Sequence, residues 1–189
     1  MECDLVVVGA SWGGLSATQV LLGSLPRDFP SSLAVVLHRR QGSDDQLRRV
    51  LQRATLLVVS EVEDKEAILP GHVYLSPPDY HLLVEPGHFA LSIEAPVSCA
   101  RPSIDVLFES AAAAYAERVI GVILTGSSGD GADGLAAIKM RGGVAVVQDP
   151  ATAERRIMPD TAIATTAVDK VLPLDEIGPF LTTLCRRER

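Results

Sequence analysis

The chain has 189 residues, 47% hydrophobic and 22% charged, which suits one compact domain with a full core. Its net charge of −7 and isoelectric point near 5.0 argue against general nucleic-acid binding. No run of about eighteen apolar residues occurs, so no membrane insertion is expected.

The N-terminus, MECDLVVVGA, has no basic region ahead of its short apolar run, so no secretion signal is expected. Residues 4–9 (DLVVVG) read instead as a buried strand. Residues 14–25 (GLSATQVLLGSL) follow with a helical apolar face, and 33–37 (LAVVL) form a second continuous strand. Residues 44–53 read as helix and 55–60 (TLLVVS) as strand. The texture then changes. Residues 72–94 hold HVYLS, HLLVE and FALSIE between prolines and glycines, with a turn at Glu85-Pro86-Gly87-His88. This stretch is expected to be a small antiparallel excursion. From Pro102 the βα rhythm returns. A helix is expected over 103–117 with Ser103 as N-cap, a strand over 119–125 (VIGVILT) and a helix over 131–141. A strand over 144–148 (VAVVQ), a helix over 159–167, a short strand over 170–173 and a helix over 175–187 complete the chain. The closing residues 186–189 (RRER) read as a solvated end, not a binding patch.

Apolar strands alternating with helices imply a doubly wound α/β fold, a mostly parallel sheet with helices on both faces. A single domain over 1–189 is expected. Cys3, Cys99 and Cys185 are odd in number and form no C-x-x-C pair, so neither a disulfide framework nor a zinc site is indicated. A reducing cytoplasm is the simplest location.

In such a sheet, ligands bind beyond the C-terminal ends of the strands. Ser11 follows the first strand, His38 follows the second, and Asp130 lies in Gly126-Ser127-Ser128-Gly129-Asp130-Gly131 after strand 119–125. Serine, histidine and aspartate on one edge are the set for a charge-stabilised nucleophile. The base removes the hydroxyl proton, and the carboxylate fixes the tautomer of the base. The turn GASWGG resembles a dinucleotide-binding G-x-G-x-x-G, but Ser11 replaces the glycine that approaches a pyrophosphate. That favours a nucleophile over a nucleotide cradle. Each residue also has a plain structural reading: Ser11 as a helix cap, His38 as a strand-end histidine, Asp130 as a turn former. His72, His81 and His88 compete as bases but sit in the irregular middle, and Asp133 competes as the acid but falls in a first helical turn.

Several segments in order carry a resemblance: GASWGG, LPGHVYLSPPDYHLLV, RPSIDVLF, GVILTGSSGDGADGL and the Q-D-P-A…M-P stretch at 148–159. Together, over about residues 4–180, they resemble the catalytic domain of the chemotaxis protein-glutamate methylesterase (CheB) family. The resemblance implies a serine hydrolase that removes methyl groups from glutamyl esters of chemoreceptor helices and, in some members, deamidates glutamine. It places the nucleophile on Ser11, the base on His38, the acid on Asp130 and the oxyanion donors on the backbone N–H groups of Trp12 and Ser127. It implies no cofactor and no metal. The partners it implies are methyl-accepting chemoreceptors or similar receptor helices; without a receiver domain, the esterase is expected to be regulated by a separate protein or not at all. The chain departs from the family pattern at Trp12, Ala100 and Ser127, and at Arg39, Arg40, Arg155 and Arg156, where basic side chains could steer acidic helices. It also carries no receiver domain in its 189 residues. A catalytically weakened receptor-binding or scaffold domain of the same fold is the alternative, prompted by Trp12.

Overall fold

The computed structural model describes residues 3–38 and 44–185. Seven strands form one parallel sheet: β1 (Leu5–Ala10), β2 (Ser32–Leu37), β3 (Val58–Glu61), β4 (His72–Leu75), β7 (Val119–Ile123), β8 (Val144–Gln148) and β9 (Lys170–Leu172). Their order is β3-β4-β2-β1-β7-β8-β9. The two strands left over, β5 (His81–Glu85) and β6 (His88–Ser92), pair only with each other as an antiparallel hairpin. Six helices are present among the described residues: α1 (Gly14–Gly23), α2 (Asp44–Gln52), α3 (Ile104–Tyr115), α4 (Ala132–Met140), α5 (Ile157–Thr165) and α6 (Leu174–Leu184). No helix among the described residues is long and apolar enough to cross a membrane.

The central strands are buried on both faces, which is why they read as unbroken apolar runs. Alternate residues of β1 serve two cores. Val6, Val8 and Ala10 face Leu21 and Leu22 of α1 and Leu181 of α6, while Leu5 and Val7 face Leu107 and Phe108 of α3. The chain order around β1 explains the location of the site. From β1 the chain winds outward through β2 on one side, and β7 returns on the other. The crevice beyond β1, β2 and β7 is therefore the topological switch point.

The middle of the chain differs from the sequence expectation. His72–Leu75 is not part of the antiparallel excursion; it is β4, hydrogen-bonded in parallel between β2 and β3. Val73, Tyr74 and Leu75 are buried, so this short run is a sheet interior inserted between β2 and β3. Only β5 and β6 form the excursion, turning at Glu85-Pro86-Gly87-His88 as expected. Helix α5 starts at Ile157, two residues earlier than expected, so Pro159 lies in its first turn, where proline costs no hydrogen bond. Cys3 and Cys185, distant in sequence, are buried as free thiols in one core and touch.

Candidate active site

The three glycines of the first turn have separate jobs. A Cβ on Gly9 would lie 2.3 Å from Ile104 Cγ2, so that glycine lets α3 close on the sheet. Gly13 has φ +75°, a left-handed conformation that an L side chain resists, and it starts α1. A Cβ on Gly14 would lie 2.8 Å from Ala10 Cβ. Ser11 is not the cap of α1: Gly13 holds that position, with no side-chain cap bond. The Ser11 hydroxyl has no hydrogen-bond partner among the described residues.

Ser11 and His38 are brought together by strand register. Ala10 of β1 pairs with Leu37 of β2, and each candidate is the next residue of its strand. The ladder continues past the strand ends: His38 N–H donates to Ala10 O at 3.0 Å, and Ser11 N–H to Thr125 O at 3.0 Å. Neighbouring parallel strands lie about 4.8 Å apart, so the two side chains start side by side. No hydrogen bond joins Ser11 Oγ to His38, and such contacts often tighten only when substrate binds. Gly126 allows the third loop to approach: a Cβ there would lie 2.9 Å from Ser11 Cβ and 1.8 Å from Met158 Sδ.

His38 Nε2 lies 2.7 Å from Asp130 Oδ2. Asp130 is 2% exposed. Its carboxylate is further held by Ile104 N–H (2.7 Å), Ser103 Oγ–H (2.8 Å) and Asp105 N–H (3.0 Å). Burial opposes ionisation of Asp130, but the His38 hydrogen bond and the donors at the start of α3 outweigh it and draw the carboxyl down to about 2. An ionised Asp130 accepts, so Nε2 carries the proton and Nδ1 keeps the lone pair. Nδ1 is therefore the ring nitrogen left to accept a proton.

The competing candidates are placed elsewhere. His81, 2% exposed, accepts from Ser103 N–H through Nδ1 and meets Ala95 O through Nε2, so both ring nitrogens are committed to the backbone. His72 meets Pro70 O, and His88 pairs with Glu85. Asp133 is exposed in the first turn of α4. Ser103 precedes α3 as expected, yet its hydroxyl caps nothing in α3; it donates to Asp130, which takes the capping role itself.

The N–H groups of Trp12 and Ser127 donate to no acceptor among the described residues, whereas Gly126 N–H is used by Arg155 O. On the His38 side a cavity of about 230 Å³ is lined by His38, Cys99, Ala100, Arg101 and Pro102. Trp12 is 58% exposed and turns to the other rim. Its Nε1–H donates to Glu154 Oε1 at 2.8 Å, and the Arg155 guanidinium lies over its ring at 5.4 Å. Arg156 is engaged by Asp160 one turn along α5. Arg39 and Arg40 lie outside the described residues, as do residues 186–189.

Sequence reasoning missed four residues that shape this edge. Thr125 ties three loops together: its N–H donates to Gln148, its hydroxyl lies against the carbonyls of Trp12 and Arg155, and it accepts from Arg155 N–H. Glu154 anchors Trp12. Ser103 and Asp105 stand behind Asp130. The Ser-x-Asp at the start of RPSIDVLF is the one signal that could have been read, as a helix-start pattern with polar groups turned inward.

Comparison with known proteins adds independent findings. A family model described as CheB methylesterase matches residues 6–181. A protein of Leptospira interrogans named for protein-glutamate methylesterase/protein-glutamine glutaminase is 45% identical over 185 residues, covering 97% of this chain and 96% of that protein. Protein-glutamate methylesterase/protein-glutamine glutaminase 2 of Anaeromyxobacter dehalogenans is 42% identical over 183 residues, and the chain spans 54% of its length. The crystal structure of the Thermotoga maritima CheB methylesterase catalytic domain superposes with a TM-score of 0.93 at 33% identity, covering 97% of this chain and all of that one.

Proposed function

The chain belongs to the CheB methylesterase family, and on that premise we propose that it hydrolyses glutamate γ-methyl esters of chemoreceptor helices with Ser11 as nucleophile. The observation that carries the assignment is the 2.7 Å contact between His38 and buried Asp130, set one residue past the strand pairing that aligns Ser11 with His38.

Ser11 Oγ attacks the ester carbonyl while His38 Nδ1 takes its proton. The oxygen that becomes negative is received by the N–H groups of Trp12 and Ser127, which are free to donate. The tetrahedral species collapses, His38 returns the proton to the methoxy oxygen, and methanol leaves. Water then attacks the acyl-enzyme with His38 as base again, and glutamate and free Ser11 are regenerated. Asp130 stays ionised throughout and stabilises the imidazolium. With a glutamine side chain the same steps expel ammonia, the second activity in the names of the relatives. The His38–Asp130 contact supports hydrolysis over the scaffold alternative, since it is the geometry of a base held by an acid. The proposed location of the reaction is the cytoplasm.

The test is methanol release from a peptide carrying a glutamate γ-methyl ester. The wild-type chain releases methanol, and Ser11→Ala, a small exchange at a turn, folds and releases none. A folded Ser11→Ala protein that keeps most of the activity overturns the mechanism.

A further inference from the structure

Helices α3 and α4 exchange carboxylates at their starts. Asp130, just ahead of α4, accepts the first N–H groups of α3, those of Ile104 and Asp105. Asp105, in the first turn of α3, accepts from Gly131 N–H at 2.9 Å and Gly134 N–H at 2.8 Å, at the start of α4. Each helix thus supplies the other's missing cap. The exchange is tight: a Cβ on Gly134 would lie 3.0 Å from the Asp105 backbone, and one on Gly131 would lie 2.6 Å from Ile104 Cγ2.

Capping alone does not call for an acid at position 105. Asparagine or serine accepts N–H bonds equally well and carries no charge. A carboxyl here is 7% exposed and sits against a second buried carboxylate, an arrangement that disfavours ionisation of one of the two. We propose that Asp105 is a positioning residue for the ester hydrolysis described above: it braces the turn that carries Asp130, and its carboxyl, buried beside that of Asp130, adds to the negative charge behind His38 when it ionises. The inference rests on that functional reading.

The charge environment supports it. Burial, the largest influence, pushes the Asp105 carboxyl up to about 7, and the charge of Asp130 and the bond to it add to the rise, against the N–H groups of Gly134 and Gly131. Of the titratable groups on the packed elements, Asp130 and exposed Asp133 lie at the start of α4, His81 on β5 meets Ser103, and His38 is reached through Asp130, while Glu85 of β5 pairs with His88 and Lys139 of α4 with Asp169. Strands β1 and β7 contribute none, and Glu109 of α3 itself is exposed. Neutral Asp105 leaves Asp130 as the one charge of the buried pair. Ionised Asp105 adds a second negative charge behind Asp130, which stabilises the imidazolium that forms when His38 takes the Ser11 proton. Asparagine imitates the neutral state permanently, with an oxygen for the two glycine N–H groups.

The experiment compares full-length wild type, Asp105→Asn and Asp105→Ala from pH 5.5 to 9. It follows methanol release from the methyl-ester peptide and the rate at which a fluorophosphonate labels Ser11. For Asp105→Asn, kcat near pH 6 stays within about threefold of wild type, and above pH 8 it falls further behind, with KM within about twofold throughout. The wild-type rise across neutral pH becomes shallower in this variant. For Asp105→Ala, kcat drops roughly tenfold or more at every pH, as expected when a reacting group loses its support. An Asp105→Asn profile that superimposes on wild type, or a change confined to KM, overturns the proposal even if Asp105→Ala fails to fold. If wild type labels with the probe in a His38-dependent way but releases no methanol, the substrate assignment fails, and the labelling profiles still decide the role of Asp105. If wild type does neither, both readings fall.

Discussion

The two rims of the crevice are built on opposite principles. The acid–base side is buried and over-determined: four donors from His38, Ser103, Ile104 and Asp105 converge on the two oxygens of Asp130. The opposite side is exposed and lightly tied: Trp12 is held by one hydrogen bond to Glu154 and one cation–ring contact with Arg155. A proton relay of the kind proposed tolerates little displacement, and the groups proposed for it are fixed by buried partners. A surface that meets a macromolecular helix gains from being remodelled cheaply, and exposed contacts of this kind are each worth about 1 kcal/mol or less.

The sharpest way to break this contrast is at Asp130. Asp130→Asn keeps the shape but removes the charge and allows the wrong tautomer of His38, and kcat should fall by about 10³-fold or more. The fold should also weaken, since an amide cannot accept all four donors. A variant with near-normal kcat on the methyl-ester peptide would make the buried cluster a structural cap and nothing more.

The pH profile tests the same side without a change of shape. Asp130, drawn down to about 2, stays ionised across any practical assay range, so loss of activity on acidification does not come from Asp130. The rate should fall as pH drops and the imidazole becomes unable to accept a proton. Substitution of His72 or His88 should leave the profile in place, because both are bound to the hairpin and its approaches. A flat profile from pH 5 to 8, with chemistry rate-limiting, contradicts His38 as base.

How much of this was legible in the sequence depends on range. The apolar runs of β1, β2, β7 and β8 are continuous because both of their faces are covered, and the positions of Ser11 and His38 follow from the ends of those runs. β4 was hidden, because its four residues lie next to a hairpin in sequence yet insert between β2 and β3 in the parallel sheet. The exchange between Asp105 and Asp130 was hidden for a related reason. Each residue has a sufficient local explanation, an acid in a first turn or an acid in a glycine loop, and only packing of α3 on α4 shows that each serves the other helix. The bond from Trp12 to Glu154 spans 142 residues and leaves no periodic trace at all.

Stability offers a quieter measure of the buried side. The Asp105 carboxyl is raised in the folded chain, from an ordinary 3.8 to about 7, so the folded state holds a proton that the unfolded state has lost between those values. Its contribution is present below about pH 4, declines as pH rises through the window, and is gone above about 7. Asp130 is shifted the opposite way, and its contribution is lost only as pH falls from about 4 towards 2. Thermal melts of Asp105→Asn and wild type should therefore diverge between pH 4 and 7 in favour of the variant, by at most about 4 kcal/mol. A gap independent of pH would mean that Asp105 is ionised normally.

The smallest effect is expected on the open rim, at Trp12. Its ring does not line the cavity beside His38; it leans towards Glu154 and Arg155 on the β8–α5 loop. Its backbone is a different matter, since the Trp12 carbonyl receives the Thr125 hydroxyl and its N–H is free. A change of side chain leaves both backbone groups in place. Trp12→Thr should therefore alter kcat/KM for a small methyl ester by no more than about threefold, because oxyanion stabilisation survives. On a helical receptor substrate, activity should be kept or raised: the indole no longer stands at the mouth, and Arg155 is released from the ring to meet acidic side chains. Measuring kcat/KM on both substrates in both proteins separates rim from centre. An equal collapse on the two substrates would show that the ring positions Ser11 itself, and the lightly tied rim would then belong to the catalytic side after all.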